Sequence, residues 1–443
     1  MFRDRLFRAY CRFARRGSQR RRRYTERGRF VQTGMVVCGA LGIDTDLNLI
    51  YQLFALLACL LLGTRLTLWL HPPSVSLRRE LPKYVTAGQA FDYRIHVTNS
   101  GQRVEADLQL VDNPVVQLPS RQQFEQQTEP GEETRNAYDR WIGYHRFMWL
   151  LRLKTGITLA TASVPTLAIG NTSAVTVRGE PLRRGLVQLD SMSVLYPDPF
   201  ALYSGQVHFP QPAQLLVLPK RYAVNPRFAF PGSQRPQPGG TAASQATGDS
   251  DEFVSLRDYR QGDGLRRIHW PSSARRGKPV IKEFQSEHFA RQALVLDSTL
   301  PASVLFEEAI AVAASLLLGR PTSGAGADPM DLLFLSNTTE LISDAGGSAT
   351  IQQLTALANL HSSPLAFTVL AQATLRHASL MSGCVLVLGS WGADQQALVA
   401  GLRARQVAVL ALILSPNSQT LADLPADCRQ LPLGQVSEVL GSL

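Results

Sequence analysis

Two apolar stretches near the N-terminus stand apart from the patterning of the rest of the chain. Phe30 to Ile43 reads FVQTGMVVCGALGI and Leu47 to Leu70 reads LNLIYQLFALLACLLLGTRLTLWL, separated by Asp44-Thr45-Asp46. Leu47 to Thr64 supplies 18 residues, about 27 Å of helix against a hydrocarbon core of about 30 Å. Arg65 can then snorkel to the surface, with Trp69 at headgroup level. The first stretch has 14 residues, about 21 Å, and must thin the bilayer or borrow its flanks to cross. Small residues recur every fourth position in both, at Gly34, Cys38 and Gly42 and at Ala55, Cys59 and Gly63. Such stripes let helix backbones approach in lipid. The pattern predicts a transmembrane helical hairpin over residues 30–70.

From Ser74 to Pro219 the period becomes two. FDYRIHVTN alternates, Ser100-Gly101 turns the chain, VEADLQLVD alternates again, and SAVTVRG, LVQLDSMSVLY and AQLLVLP continue the pattern. An antiparallel β-sandwich over residues 74–220 is expected. Trp141, Phe147, Met148, Trp149 and Leu150 crowd one stretch of it, read as a core hairpin in preference to a loop dipping into the membrane surface. Residues 231–250 are Pro-, Gly- and Ser-rich and read as a linker. Beyond residue 290, RQALVLD, DLLFLSN, CVLVLGS and VAVLALILS are apolar runs of strand length. LFEEAIAVAASLLLG, IQQLTALANL and DQQALVAGLRARQ are helical segments between them. The alternation predicts a doubly wound parallel sheet over residues 290–443, covered on both faces.

Charge sharpens the picture by being local. Residues 1–30 hold twelve Arg against Asp4 and Glu26, which equals the whole net charge of +10. Residues 1–29 therefore read as a basic tail, and no nucleic-acid-binding surface is implied. The tail stays cytoplasmic by the positive-inside rule, and Arg78, Arg79 and Lys83 follow the second stretch while the Asp44–Asp46 turn has no positive charge. Two spans and a cytoplasmic C-terminal mass at an inner membrane are expected; a single span would export residues 71–443. Cys11, Cys38, Cys59, Cys384 and Cys428 are scattered without a C-x-x-C pair, which fits reduced thiols and no zinc site.

The segment DEFVSLRDYRQGDGLRRIHWPSSARRGKPVIKEF carries the most specific pattern. It resembles the signature of the DUF58 family, a domain of unknown function related to von Willebrand factor type A domains. The matching positions are Glu252, Phe253, Leu256, Arg257, Tyr259, Gly262, Asp263, Arg266, Ile268, Trp270, Ser273, Ala274 and Arg275. Upstream, Arg184-Gly185 and Asp198-Pro199-Phe200 match the family's lead-in. Physically, residues 251–289 read as a junction: Gly262-Asp263 turns the chain, and Ile268 and Trp270 alternate as on a half-buried strand stopped by Pro271. Between Asp249 and Glu283 there are eight basic and six acidic residues, a balance that favours ion pairs over an anion-binding groove. Arg257, Arg266 and Arg275 can hold Glu252, Asp258 or Asp263 in bidentate pairs. The bracing reading stands beside a docking face made by Arg257, Tyr259, Gly262, Asp263, Arg266, Trp270, Ser273 and Arg275. The resemblance implies a membrane-anchored partner of a MoxR-type AAA+ ATPase.

The resemblance also brings an expected Mg²⁺ site, D-x-S-x-S after the first strand of the type A domain. Here Asp297 and Thr299 stand as the remaining ligands, while Pro301 and Ser390 occupy positions where oxygen ligands belong. Too few hard donors remain for a working site, and Asp297 reads as a turn cap. Asp263, His269 and Ser272 can be written as a catalytic triad, but nothing in the sequence orients them. No H-E-x-x-H or G-x-x-x-x-G-K-[ST] occurs. The expectation is a non-enzymatic scaffold or adaptor without a cofactor, recruiting the ATPase to assemble or mature other proteins. A hydrolase or peptidase around Asp263 and His269, or an exported envelope-binding protein, are the alternatives.

Overall fold

The computed structural model describes residues 2–20, 25–41, 48–226, 228, 230–232, 252–259, 268–285, 291–320, 322–323, 326–327, 329–344, 349–416 and 424–442. The chain divides into two units, Met1–Lys220 and Arg221–Leu443.

The first unit opens with helix α1 (Phe2–Arg20), where a loose basic tail was expected. Phe7, Tyr10, Cys11 and Ala14 recur at helical spacing and pack on Phe124, Phe147 and Leu150, while Arg5, Arg8 and Arg12 stay exposed. The arginines thus occupy one face, and the apolar face docks the helix. Helices α2 (Glu26–Leu41) and α3 (Asn48–Leu70) follow, and the acidic turn between them lies outside the described residues. Only α3 holds a stretch, Leu49–Leu70, long and apolar enough to cross a membrane among the described residues. The two helices pack together: a Cβ on Gly39 would lie 3.1 Å from the Phe54 ring.

Two sheets then face each other. One orders β1 (Val75–Glu80), β3 (Phe91–Asn99), β7 (Thr172–Pro181) and β5 (Ile157–Leu159). The other orders β2 (Tyr84–Thr86), β9 (Ser204–Leu218), β8 (Gly185–Pro197), β4 (Gln109–Pro114) and β6 (Ala162–Ser163). All neighbours are antiparallel except β2 with β9. Alternate residues of both sheets, including Ile95, Val97 and Val177 opposite Leu110, Met192 and Val194, make one core. The expected sandwich is what forms.

The aromatic stretch 141–150 departs from expectation. It is helical: α4 (Arg121–Gln126), α5 (Ala137–Ile142) and α6 (Tyr144–Thr155) form an insert between β4 and β5. Asn136 caps α5 through Asp139 N at 2.7 Å, and Gly143, at φ 68°, ends it. Phe147 and Leu150 fall on one face of α6 and meet α1. The insert leaves β4 where Pro114 pairs with Leu189 and rejoins where Ile157 pairs with Pro181. The α3 end of the sheet is marked by the Tyr196 hydroxyl donating to Leu68 O at 2.8 Å. Seven residues separate Leu189 from Tyr196 along β8, about 23 Å. Both junctions of the insert therefore lie at the end of the sandwich away from α3.

In the second unit, β10 (Glu252–Asp258) and β11 (Val280–Gln285) make a two-stranded ribbon with α7 (Trp270–Arg276) between them in sequence. The six-stranded sheet begins with β12 (Gln292–Leu296), followed by α8 (Val304–Leu318) and a minimal pair, β13 (Thr322–Ser323) and β14 (Gly326–Ala327). Then come β15 (Met330–Leu335), β16 (Thr339–Ile342), α9 (Ala349–Asn359), α10 (Phe367–His377) and β17 (Gly383–Leu388). The unit closes with α11 (Ala393–Ala404), β18 (Ala408–Ser415), β19 (Cys428–Pro432) and α12 (Val436–Ser442). Sheet order is β16-β15-β12-β17-β18-β19, parallel except for the β16 edge. Every predicted strand and helix of this region is present. Ala293 and Val295 join α10 and α11 in one core, and β12, β15 and β17 are buried along their whole length.

One buried ion pair stitches the sandwich. Arg79 Nε and Nη2 donate to Asp112 at 2.9 and 2.6 Å, Arg79 Nη1 to Gln211 O at 2.8 Å, and Tyr93 Oη to Asp112 at 2.7 Å. Burial first, then the Asp112 charge, hold the Tyr93 hydroxyl far above the usual tyrosine range. Asp112→Ala leaves the Arg79 charge buried and unpaired, and should cost about 3–5 kcal/mol. Replacing the pair together, Arg79→Met with Asp112→Leu, should cost much less in denaturant melts of the full chain. Equal losses would show that the pair matters by shape and not by charge.

Candidate docking site

The signature segment builds its surface from the β10–β11 ribbon. Arg257 pairs with Ile281 and Asp258 with Val280, and the ladder continues as Tyr259 N donates to Pro279 O at 3.0 Å. Ile268 bridges Ile281, and His269 N donates to Val280 O at 2.8 Å. The chain then turns into α7, with Pro271 in its first turn and Gly277 after its last. This is the helix grammar of Pro near the start and Gly past the end. Trp270 is therefore a helix residue and not the end of a strand, which corrects the half-buried-strand reading. Its side chain is 68% exposed.

Ser273 holds the helix on the ribbon. Its Oγ donates to His269 O and accepts from Val280 N, both at 2.9 Å, and the residue is buried. His269 Nδ1 lies 2.7 Å from Ser272 Oγ, three residues on, a side-chain contact at the start of α7. Arg275 and Arg276 sit in the last turn, where the helix dipole favours cations. Tyr259, Ile268, Trp270, Ala274 and Pro279 line an open apolar groove of about 550 Å³, with Lys278 at its edge.

Of the residues proposed for docking, the structure brings Tyr259, Trp270 and Ser273 to this groove, while Arg275 is exposed on α7 outside its lining. Gly262, Asp263 and Arg266 lie outside the described residues, as does the side chain of Arg257. The bidentate arginine network and the Asp263–His269–Ser272 triad fall with them outside what is described. Ile268, Val280 and Ile281 are the buried apolar residues among those described here, beside the buried Ser273. The Pro271 and Gly277 spacing is the sequence signal that could have placed Trp270 on a helix.

A second place with functional potential is the carboxyl edge of the sheet, where strand order reverses between β12 and β17. Asp297 follows β12, and its Oδ1 accepts from Thr299 N at 3.1 Å and Thr299 Oγ1 at 2.6 Å. Burial pushes this carboxyl up, against the opposing hydrogen bonds from Thr299 and the Gly389 amide. Ser298 Oγ donates to Leu335 O at 2.6 Å and accepts from Leu335 N at 2.9 Å, which ties the loop to β15. Ser390 Oγ accepts from Gln395 Nε2 at 3.2 Å, and the Leu300 side chain packs so closely on Gly389 that a Cβ there would be 2.2 Å away. Asp297 and Thr299 are thus partners of each other, with hydrocarbon beside them. This donor set does not fit Mg²⁺, which needs several converging oxygens.

Because the fold raises the Asp297 pKa, it favours the protonated form. That contribution is fully present below the unfolded carboxyl range and is lost as pH rises through the folded value. Asp297→Asn keeps the acceptor without the charge. The variant should therefore melt above the parent at pH 7.5, with the gap closing towards pH 4. A gap independent of pH would overturn the assignment. Millimolar Mg²⁺ is expected to leave both curves in place.

Residues 255–427 match the family described as "Protein of unknown function DUF58". The match begins within β10, takes in α7 and β11, and runs through the sheet to the residue before β19. A curated relative, "Uncharacterized protein YeaD" of Bacillus subtilis (strain 168), is 32% identical over 108 residues. These are 24% of this chain, and the chain covers only 27% of that relative's length. Among solved structures, a CARDB domain from Pyrococcus furiosus aligns at 9% identity with a TM-score of 0.16, over 33% of this chain and 89% of the other. A PapD-like domain of human CEP192 aligns at 15% identity with a TM-score of 0.18, over 33% and 87%. No common fold follows from such scores.

Proposed function

We propose that this protein is a membrane-anchored adaptor that captures another protein through the groove between Tyr259 and Trp270. Its N-terminal helices form a two-span hairpin with both ends cytoplasmic, and its C-terminal sheet is a von Willebrand factor type A-like domain without a metal. A MoxR-type AAA+ ATPase is the partner that the DUF58 resemblance suggests. The observation that carries the reading is the exposed Trp270. A large aromatic ring left in water above an apolar groove, inside the segment matched to the family, is the kind of anchor that interfaces bury. Lys278 lines it with positive charge, and Arg275 and Arg276 are exposed on the same short helix, which suits an acidic partner surface.

The hydrolase alternative draws on the 2.7 Å contact between His269 and Ser272. A local pairing of two side chains three residues apart at the start of α7 accounts for that contact without chemistry. Turnover of a small ester or peptide by the purified chain, abolished in His269→Ala, would restore the enzyme reading.

Two outcomes test the adaptor. Trp270→Ala should change stability by under about 0.5 kcal/mol while abolishing capture of a MoxR-type ATPase from membranes, and Arg275→Ala with Arg276→Ala should weaken it. Ser273→Ala should instead destabilise by about 1–3 kcal/mol, because it strands the buried Val280 amide. Capture undiminished in Trp270→Ala would remove the groove from the interaction.

Topology is tested separately. A phosphatase fused after Leu443 should be inactive and a fluorescent protein there bright, because the Asp44–Asp46 turn lacks the positive charge that flanks it. An active phosphatase would reverse the orientation and exclude a cytoplasmic ATPase.

A further inference from the structure

We propose that the loop Asp198–Tyr203 is a lipid-contacting element whose tip, Phe200, enters the bilayer interface beside α3. The inference rests on α3 spanning the membrane, and it concerns a part of the sandwich with no role in the docking reading.

The loop is a closed, preset structure. Both oxygens of the buried Asp198 carboxylate are used, Oδ1 accepting from Leu202 N at 2.9 Å and Oδ2 from Tyr203 N at 3.1 Å. Asp198 N donates to Tyr203 O at 3.0 Å and Ala201 N to Asp198 O at 3.1 Å, with Ala201 held at φ 54°. The amides of Asp198, Ala201, Leu202 and Tyr203 are thereby satisfied within the loop, which lowers the cost of holding it near hydrocarbon.

The outward carbonyls of this loop face the helix pair. Thr25 Oγ1 is 2.7 Å from Ala201 O and 2.9 Å from Leu202 O, and Thr25 N donates to Leu202 O at 3.2 Å. Gly28 is required at this contact, because a Cβ would stand 1.9 Å from Leu202 O. Leu202 and Tyr203 form one buried cluster with Leu61, against which Val31, Met35, Leu60 and Leu68 pack. The Arg65 guanidinium lies over the Tyr203 ring, 5.3 Å from its centroid.

Helix arithmetic sets the depth. The loop cluster covers α3 from Leu60 to Leu68, so only Asn48–Cys59 projects beyond it. Those residues span about 18 Å, whereas the whole apolar stretch spans about 33 Å and the hydrocarbon core is about 30 Å. An α3 that crosses must therefore carry the level of Leu60–Leu68, and the loop packed on it, into the membrane boundary. Phe200 and Pro199 are exposed at the tip, and Leu62, Leu66 and Trp69 are exposed on the same length of helix. Tyr203 over Arg65 matches this depth, an aromatic and a snorkelling cation at the headgroup layer.

The test is site-specific photocrosslinking in the full chain, reconstituted in bilayers containing an alkyne-tagged phosphatidylcholine. p-Benzoyl-phenylalanine replaces Phe200, or Leu56 on α3, or Leu186, an exposed residue at the far end of β8. Lipid adducts at 200 comparable with those at 56, and none at 186, are expected. Adducts at 56 without any at 200 would overturn the loop proposal and leave the span standing. Adducts at neither would overturn the span itself, and the proposal with it. Adducts at all three would mean unselective capture, and protein-only adducts at 200 would assign the tip to a protein contact; both count against it.

Discussion

The buried carboxylate of Asp198 is the constraint on which the α3 end of the first unit depends. By accepting two backbone amides it closes a short loop that would otherwise have several conformations to lose, and it aims the carbonyls of Ala201 and Leu202 at Thr25 and Gly28. Helix α2 starts from that contact, and Leu61, Arg65 and Leu68 of α3 pack around it. A single acid thus presets the loop against which α2 and α3 pack. No flexible linker is needed, since four residues separate Leu70 from Val75.

Away from that end, the sandwich is held by different means. Its core is ordinary alternation, but Arg79, Asp112, Tyr93 and Gln211 place a polar network through it. Such a network specifies pairing more than it adds stability, because every member left alone is costly. The helical insert gains its partner from the N-terminus: α1 supplies Phe7 and Tyr10 to Phe124 and Phe147, with ring centroids 5.4 Å apart for Phe7–Phe124 and for Tyr10–Phe147. An arginine-rich helix thereby becomes a folded part of the unit.

The second unit separates structure from display. Its parallel sheet buries hydrocarbon on both faces, and the polar groups at the carboxyl edge, Asp297, Ser298 and Thr299, are spent on one another and on β15. The ribbon does the opposite. Ser273 is spent on holding α7, which leaves Trp270 exposed. That contrast is why the proposed adaptor reading rests on the ribbon and not on the sheet edge.

Where hydrophobic period and length were unambiguous, sequence alone was enough. Strands β3, β4, β7, β8 and β9 and the alternating strands and helices after residue 290 are legible because burial on one face or on both leaves a readable period, and the apolar length of α3 is legible by count alone. Elements with mixed composition were not readable that way. Residues 1–20 look like a charged tail because arginines dominate the count, yet the apolar stripe of Phe7, Tyr10, Cys11 and Ala14 finds a partner only once α6 is folded beside it. Trp141–Leu150 looked like a hairpin because aromatic density says nothing about period. Trp270 looked buried because large aromatics usually are, and only the position of α7 on the ribbon leaves it in water. Likewise Asp198 reads as one acid in a turn until tertiary contacts bring Thr25 and Gly28, more than 170 residues earlier, against the loop it closes. Local period determined which segments are helix or strand; long-range packing, which no local window contains, decided which side chains are covered and which are offered.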